Sequence, residues 1–300
     1  MLVVGGAGFI GSHLVERMLS EGLEVDVVDD LSRGSLANLA TARALGGPLK
    51  IHNLDASTAD ADTLIGMRRP QAVVVLADGP GRGAADQLRT LEVVVTTMEA
   101  ARRHGVAKVV VAVPATALYG HPSARSLPVK EGDLGATPPR GVRGVMSRAI
   151  VDLLQSYRDL HAIEFTALAM TTVYGPRQRR GVVAELASAA KAGTPPRIDG
   201  DGRQTRDLLF VDDAVDALMR ATERGGGLVV NVGTGVQTQI NELWDQVASS
   251  VAGAGDLQPV HGPARFDELV RFAVSPVRAR IHLAWSPWTD LADGLAQLDD

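Results

Sequence analysis

Cysteine is absent from the 300 residues, which excludes structural disulfides and thiolate metal sites, so no bound metal is expected. That absence suits a reducing cytoplasm. The chain opens directly on Met1-Leu2-Val3-Val4-Gly5, without the pattern of a signal peptide, and a cytoplasmic location is expected. No apolar run reaches the length needed to cross a bilayer. No stretch carries five like charges, and 30 basic against 35 acidic residues give a formal net charge of −5. A broad nucleic-acid or anionic-membrane surface is thereby excluded, with room left for a local basic pocket. Lysine is reduced to Lys50, Lys108, Lys130 and Lys191, and tyrosine to Tyr119, Tyr157 and Tyr174. Both scarcities bear on the chemistry below.

Strand-length apolar runs alternate with stretches of helical period. Leu2–Val4, Glu24–Val28, Leu49–Leu54, Ala72–Ala77, Lys108–Val113, Glu164–Met170 and Leu228–Val232 read as strands, several so uniformly Val, Leu and Ala that both faces must be covered. Phe9–Ser20, Ser35–Leu45, Thr58–Met67, Asp86–His104 and Arg143–Leu160 read as helices between them. The alternation predicts an α/β, Rossmann-type doubly wound parallel sheet. After Gly175 the rhythm changes. Gly181–Ala192, Asp212–Thr222 and Gln239–Val251 read as helices, Leu208–Val211 as a short strand, and the mixed end holds Trp285 and Trp288. The expected division is a dinucleotide-binding domain over 1–170 with 205–238, and a small substrate-binding lobe over 171–204 with 239–300.

Gly6-Ala7-Gly8-Phe9-Ile10-Gly11 fits G-x-G-x-x-G, and Gly5, Gly8 and Gly11 fit the G-x-x-G-x-x-G variant. In a chain with 32 glycines the triplet alone means little, and an ordinary strand–turn–helix is the alternative. Context gives it weight: the glycines follow a strand and open a helix, where backbone N–H groups face an anion. The second strand then runs into Asp29, about 20 residues on, where an acid grips ribose hydroxyls. Asp29 and Asp30 together would repel a 2′-phosphate and favour NAD over NADP; Arg33 argues the other way.

With these motifs in order the chain resembles the extended short-chain dehydrogenase/reductase family, the NAD-dependent nucleotide-sugar epimerases and dehydratases. Gly5 to His13 follows the family's opening, and Asp29-Asp30-Leu31-Ser32-Arg33-Gly34 resembles its adenosine-ribose loop. Leu118-Tyr119-Gly120, Val173-Tyr174-Gly175-Pro176-Arg177-Gln178, Gly200-Asp201-Gly202 before Thr205-Arg206-Asp207, Asn231-Val232-Gly233 and Pro287-Trp288-Thr289 match later signatures. The resemblance implies an NAD site at Gly5, Gly8, Phe9, Ile10, Gly11, Asp29, Asp30, Ser32, Asp55, Ala56, Leu76 and Ala77, with Asp55 on the adenine. It implies a nucleoside-diphosphate sugar as partner, held by Arg206, Arg271 and Thr172, since paired arginines suit a pyrophosphate. Both arginines are alternatively solvated surface residues. Homodimerisation through Asp86–His104 and Arg143–Leu160 is implied as well, with Val145, Ala149, Ile150, Leu153, Leu154 and Tyr157 as an apolar stripe that would otherwise cover the sheet.

The family's reaction uses a Tyr-x-x-x-Lys pair on the helix after the fifth strand, the tyrosine as acid/base and the lysine lowering its pKa. Here the residues four beyond the three tyrosines are Ser123, His161 and Gln178, so the pair is absent. Aligning on Gly144 puts Arg143 and Ser147 at its place; shifting by one puts Gly144 and Arg148 there. Neither supplies a base, because arginine stays protonated. Ala115 stands at the usual Ser/Thr with Thr116 beside it, and Val75 replaces a histidine of the fourth strand. Thr116 and Asp78 remain as candidate catalytic residues, Asp78 at the strand edge where ligands of such sheets bind or as a plain capping aspartate. His121 is a further loop candidate or an exposed bystander. Three readings stay open: an NAD-dependent nucleotide-sugar-modifying enzyme with an atypical site, a non-catalytic NAD/nucleotide-sugar-binding pseudoenzyme acting as sensor or partner subunit, and a reductase on another substrate.

Overall fold

A computed structural model describes residues 1–76, 83–139, 141–251, 253–266 and 268–299. Strands β1 (Leu2–Val4), β2 (Val25–Asp29), β3 (Leu49–Asn53), β4 (Ala72–Val75), β5 (Lys108–Pro114) and β6 (Glu164–Met170) alternate with helices α1 (Phe9–Ser20), α2 (Ala40–Ala44), α3 (Ala59–Arg68), α4 (Ala84–His104), α5 (Ala115–Tyr119) and α6 (Gly141–His161). Beyond them come β7 (Thr172–Tyr174), α7 (Val182–Lys191), β8 (Arg197–Asp199), β9 (Thr205–Arg206), β10 (Leu208–Phe210) and α8 (Val211–Ala221). The last are β11 (Leu228–Val232), β12 (Thr238–Gln239), α9 (Ile240–Ser250), β13 (Val260–Gly262), α10 (Val277–His282) and α11 (Leu291–Ala296).

Seven strands form one parallel sheet of order β11-β6-β5-β4-β1-β2-β3. The order reverses between β1 and β4, and the crevice beyond the carboxyl ends of those strands is where such sheets take ligands. Uniformly apolar strands are required because both faces are covered. Val74 and Val110 join Leu14, Val15 and Met18 of α1 and Val215 and Leu218 of α8 on one face. Val73, Val75, Val109 and Val111 meet Val93, Val94 and Met98 of α4 and Ile150, Val151 and Leu154 of α6 on the other. Each fully buried side chain of this kind contributes about 1.5–3 kcal/mol. The first core continues without a break into Leu186 of α7 and Leu243 and Trp244 of α9, so these helices share the core of the sheet.

Several expected boundaries move. The second strand is shifted to Val25–Asp29, which puts Asp29 inside the strand end. Ser35–Leu45 divides into a 3-10 turn, Leu36–Leu39, and α2, with the Ser35 hydroxyl accepting from the Ala37 N–H (3.3 Å). The expected Asp86 start moves to Ala84, because the Asp86 carboxylate reaches back to the Gly83 N–H (3.2 Å). Val211 starts α8 instead of ending β10. The five-residue α5 lies in a stretch whose glycines and prolines read as loop.

Candidate functional site

The turn after β1 is tied down by its own backbone. Gly5 N–H donates to Val28 O (2.8 Å) and Gly8 N–H to Gly5 O (3.1 Å). Gly5 has φ +80°, which favours glycine. A Cβ on Gly11 would lie 2.1 Å from Gly5 O, so only glycine lets the loop close on the helix. Gly8, the residue before α1, has no side chain to cap it, which leaves the first-turn N–H groups of Phe9, Ile10 and Gly11 open to an anion. Asp29 is 7 % exposed. Its carboxylate accepts from the N–H groups of Ala7 and Leu31, both at 2.9 Å, and so joins the glycine loop to the loop after β2. Burial pushes its carboxyl above the usual range, against the pull of those two donors. These features fit a dinucleotide: an open helix N-terminus for the pyrophosphate and an acceptor with spare lone pairs for the ribose.

Asp30, by contrast, is exposed and takes the Ser32 N–H (3.0 Å) and hydroxyl (2.6 Å). Asp55 accepts from the Ser57 N–H (3.0 Å) and hydroxyl (2.8 Å) and from Arg89, which also lies 3.7 Å from Asp30. The sequence reasoning missed Arg89, a cation brought from α4 to the loops after β2 and β3. Ala56 is buried and Leu76 donates its N–H to Val4 O (2.9 Å). Ala77 and Asp78 lie outside the described residues, as does Arg140.

Arg206 of β9 donates from Nη1 to Thr205 O (2.9 Å) and Leu269 O (2.6 Å) and from Nη2 to Glu268. Among the described residues its Nε–H and one Nη2–H meet no acceptor. Asp207 fixes that arginine's strand. One percent exposed, it accepts from Thr234 N–H (2.8 Å) and hydroxyl (2.7 Å), Gly235 N–H (3.1 Å) and Val274 N–H (3.1 Å). Thr172, half-buried, donates its N–H to Asp207 O (3.0 Å). Arg271 is exposed and makes no hydrogen bond or ion pair among the described residues. Arg265, not singled out from the sequence, shares a turn with Glu268, whose N–H donates to its carbonyl (3.1 Å), and bonds Asp199 at 2.6 Å.

The proton-transfer position is built differently. Tyr119 donates to Asn231 Oδ1 (2.7 Å) deep in the core, and burial pushes its phenol far up. Tyr157 donates to Glu99 (2.6 Å) between α6 and α4; burial and that carboxylate push it up to about 12. Tyr174 is buried against Gly294, its hydroxyl donating to Leu291 O (3.4 Å), and burial raises it too. Because α6 starts at Gly141 and not Arg143, a third register opens, with Gly141 as the glycine after the tyrosine and Arg140 and Gly144 at the pair. Gly144 faces α5 and the chain entering α6: a Cβ there would lie 2.9 Å from Ala117 O and 3.1 Å from Pro139 Cβ. Ser147 is buried, its hydroxyl donating to Arg143 O (2.8 Å), and Arg148 pairs with Asp152 (3.1 Å). No register provides a base. Thr116, half-buried on α5, makes no hydrogen bond among the described residues.

Comparison with known proteins shows the family and the fold. Residues 1–233 match the model of the "NAD dependent epimerase/dehydratase family". A UDP-glucose 4-epimerase of Mycolicibacterium smegmatis is 38 % identical, over 99 % of this chain and 96 % of its own. The crystal structure of the Thermotoga maritima UDP-glucose 4-epimerase with UDP-glucose is similar with a TM-score of 0.89 and 28 % identity, covering 99 % of this chain and 96 % of the other. The Thermus thermophilus UDP-glucose 4-epimerase in complex with NAD gives 0.85 and 29 % over the same shares.

Proposed function

Because the chain belongs to the NAD dependent epimerase/dehydratase family, we propose that it holds NAD in the glycine loop and a nucleoside-diphosphate sugar across the crevice, and turns the sugar over very slowly as a 4-epimerase. NAD is the cofactor, and when bound it supplies the acceptor that oxidises a sugar carbinol. Gly5, Gly8, Phe9, Ile10 and Gly11 take its pyrophosphate, Asp29 its ribose, and Asp55 and Ala56 its adenine, with Asp30, Ser32, Leu76 and Ala77 around them. Arg206 takes the diphosphate of the sugar nucleotide, with Arg265 or Arg271 as second cation and Thr172 on the sugar side. The substrate lobe is 171–204 with 239–300, carried on 1–170 with 205–238.

The observation that carries this reading is an intact dinucleotide cradle beside three tyrosine hydroxyls that are all engaged elsewhere. A positioned acid/base group is worth about 10²–10⁴ in rate, and here the lysine that would sharpen it is missing as well. Thr116 has a hydroxyl but no adjacent base to activate it.

The test incubates protein, NAD and UDP-glucose and follows UDP-galactose, with calorimetry of both ligands in parallel. Binding of NAD and UDP-glucose with turnover far below about 1 s⁻¹, the low end of ordinary enzymes, is expected. Turnover at or above that rate that Asp78→Asn abolishes would make Asp78 the replacement base. Failure of UDP-sugars to bind would leave the dinucleotide site alone. NADP bound about tenfold more tightly than NAD, roughly 1.4 kcal/mol, would overturn the role of the acidic pair.

A further inference from the structure

Arg177 stands in the signature after β7, has no assigned role, and is among the most fully engaged side chains of the molecule. Its guanidinium forms a two-pronged pair with Glu16 of α1, Nη1 to Oε1 at 2.6 Å and Nη2 to Oε2 at 2.9 Å. Nη1 also donates to Asn38 O at 2.9 Å, and Nε lies 3.2 Å from His13 Nε2. The pair is sheltered: the two side chains are 24 % and 19 % exposed. His13 Nε2 is also 3.0 Å from Pro176 O. It can serve only one of these neighbours, yet both belong to the same loop, so either tautomer ties that loop to α1. The backbone of Arg177 is left-handed, φ +67°, a conformation unfavourable for a residue with a side chain unless its surroundings hold it, and these bonds do so.

What Arg177 reaches matters more than how many bonds it makes. Asn38, whose carbonyl it holds, donates from Nδ2 to Ala7 O at 2.8 Å. Ala7 is the residue between the glycines, and its N–H is already bound to Asp29. One continuous chain of polar contacts therefore runs from the loop after β7, the strand that begins with Thr172, through Arg177 and Asn38 to the glycine loop. A ligand that orders one end of such a chain lowers the ordering cost at the other, and the effect is reciprocal.

We propose that Arg177 is a positioning residue that couples the two halves of the crevice, so that filling the glycine loop with a dinucleotide orders the segment 171–181, β7 and the loop after it, and strengthens nucleotide-sugar binding. The second clause rests on the function proposed above; the first does not. Two variants separate the coupling from folding. Arg177→Gln removes the bridge at its centre. Asn38→Ala removes only the bond to Ala7 and leaves the Arg177–Glu16 pair in place.

Hydrogen exchange read by mass spectrometry decides the first clause with NADH as the only ligand. Added NADH is expected to slow exchange over 171–181 in the unmodified protein, and to lose that effect in Asn38→Ala and in any folded Arg177→Gln, with NADH still bound. Protection that persists in Asn38→Ala, or that is absent from the unmodified protein at saturating NADH, overturns the proposal. UDP-glucose affinity measured with and without NADH decides the second clause. A gain of about fivefold or more in the unmodified protein that falls to about one in the variants supports it, and equal affinity in the absence and presence of NADH overturns it. No UDP-glucose binding by the unmodified protein removes the nucleotide-sugar reading and with it the second clause, while the exchange result still decides Arg177.

Discussion

A tyrosine that accepts a proton from a sugar hydroxyl must be partly anionic at working pH, and in this family a nearby lysine makes it so. Each tyrosine here is pushed in the opposite direction by burial: Tyr119 and Tyr174 far up, Tyr157 to about 12. At about pH 10, where an ordinary phenol is half ionised, ultraviolet titration of the folded protein should therefore show almost no phenolate. One equivalent appearing near neutral pH would mean that a tyrosine serves as base after all. The sign carries into stability. A folded-state pKa above the unfolded value contributes stability that is complete below about pH 10 and is lost as the pH rises through about 12 for Tyr157. Asp207 makes a second residue-scale case. Its carboxylate faces backbone N–H groups on both oxygens, so Asp207→Asn turns an amide donor toward donors. Hydrogen bonds to a charged group are worth roughly 1.5–3 kcal/mol each, and a melting temperature lower by roughly 5 °C or more is expected. An unchanged melting curve would show that Asp207 does not hold the Arg206 strand.

Among the elements, α6 is the helix on which the family's pattern would set a Tyr-x-x-x-Lys pair that this sequence does not contain. The helix approaches α5 through Gly144, where a side chain would meet the Ala117 carbonyl at 2.9 Å. Reinstating the pair as Arg140→Tyr with Gly144→Lys should consequently strain the α5–α6 contact by about 1–3 kcal/mol without creating useful turnover. The melting temperature and the UDP-galactose assay check both halves; a stable variant reaching about 1 s⁻¹ would show that the helix yields. At α1 the opposite holds if the glycine loop takes the dinucleotide, as proposed above. Gly11→Ala places a methyl 2.1 Å from Gly5 O and is expected to abolish NADH binding in calorimetry. Retained affinity would remove the glycine loop from the site.

Across the whole molecule, α4 and α6 lie together on one face of the sheet, joined by Tyr157 and Glu99. The apolar stripe expected on α6 divides in two. Ile150 and Leu154 face the core, whereas Val145 is 47 % exposed, as is Leu88 of α4. The outer half is the surface through which we propose that two copies pair. Light scattering at micromolar concentration should give a dimer that Val145→Asp with Leu88→Asp converts to a monomer. A monomer in the unmodified protein would remove the proposal.

The alternation of valine runs with helical periods was enough for a parallel sheet, because strands covered on both faces cannot use polar residues. The glycine spacing and the acid ending the second strand were enough for a tight strand–turn–helix loop tied to Asp29, which we propose as the dinucleotide site because backbone approach to a phosphate tolerates no side chain. The missing Tyr-x-x-x-Lys pair is likewise a fact of sequence. What needed the tertiary structure was every contact between distant segments. That Arg177 reaches Glu16 and Asn38, that Arg89 stands between Asp30 and Asp55, and that Glu268 holds Arg206 follow from chain crossings that no local pattern encodes. The same is true of the helix register at α6. A polar side chain reads alike in sequence whether it faces water or a partner 161 positions away, and only packing decides which.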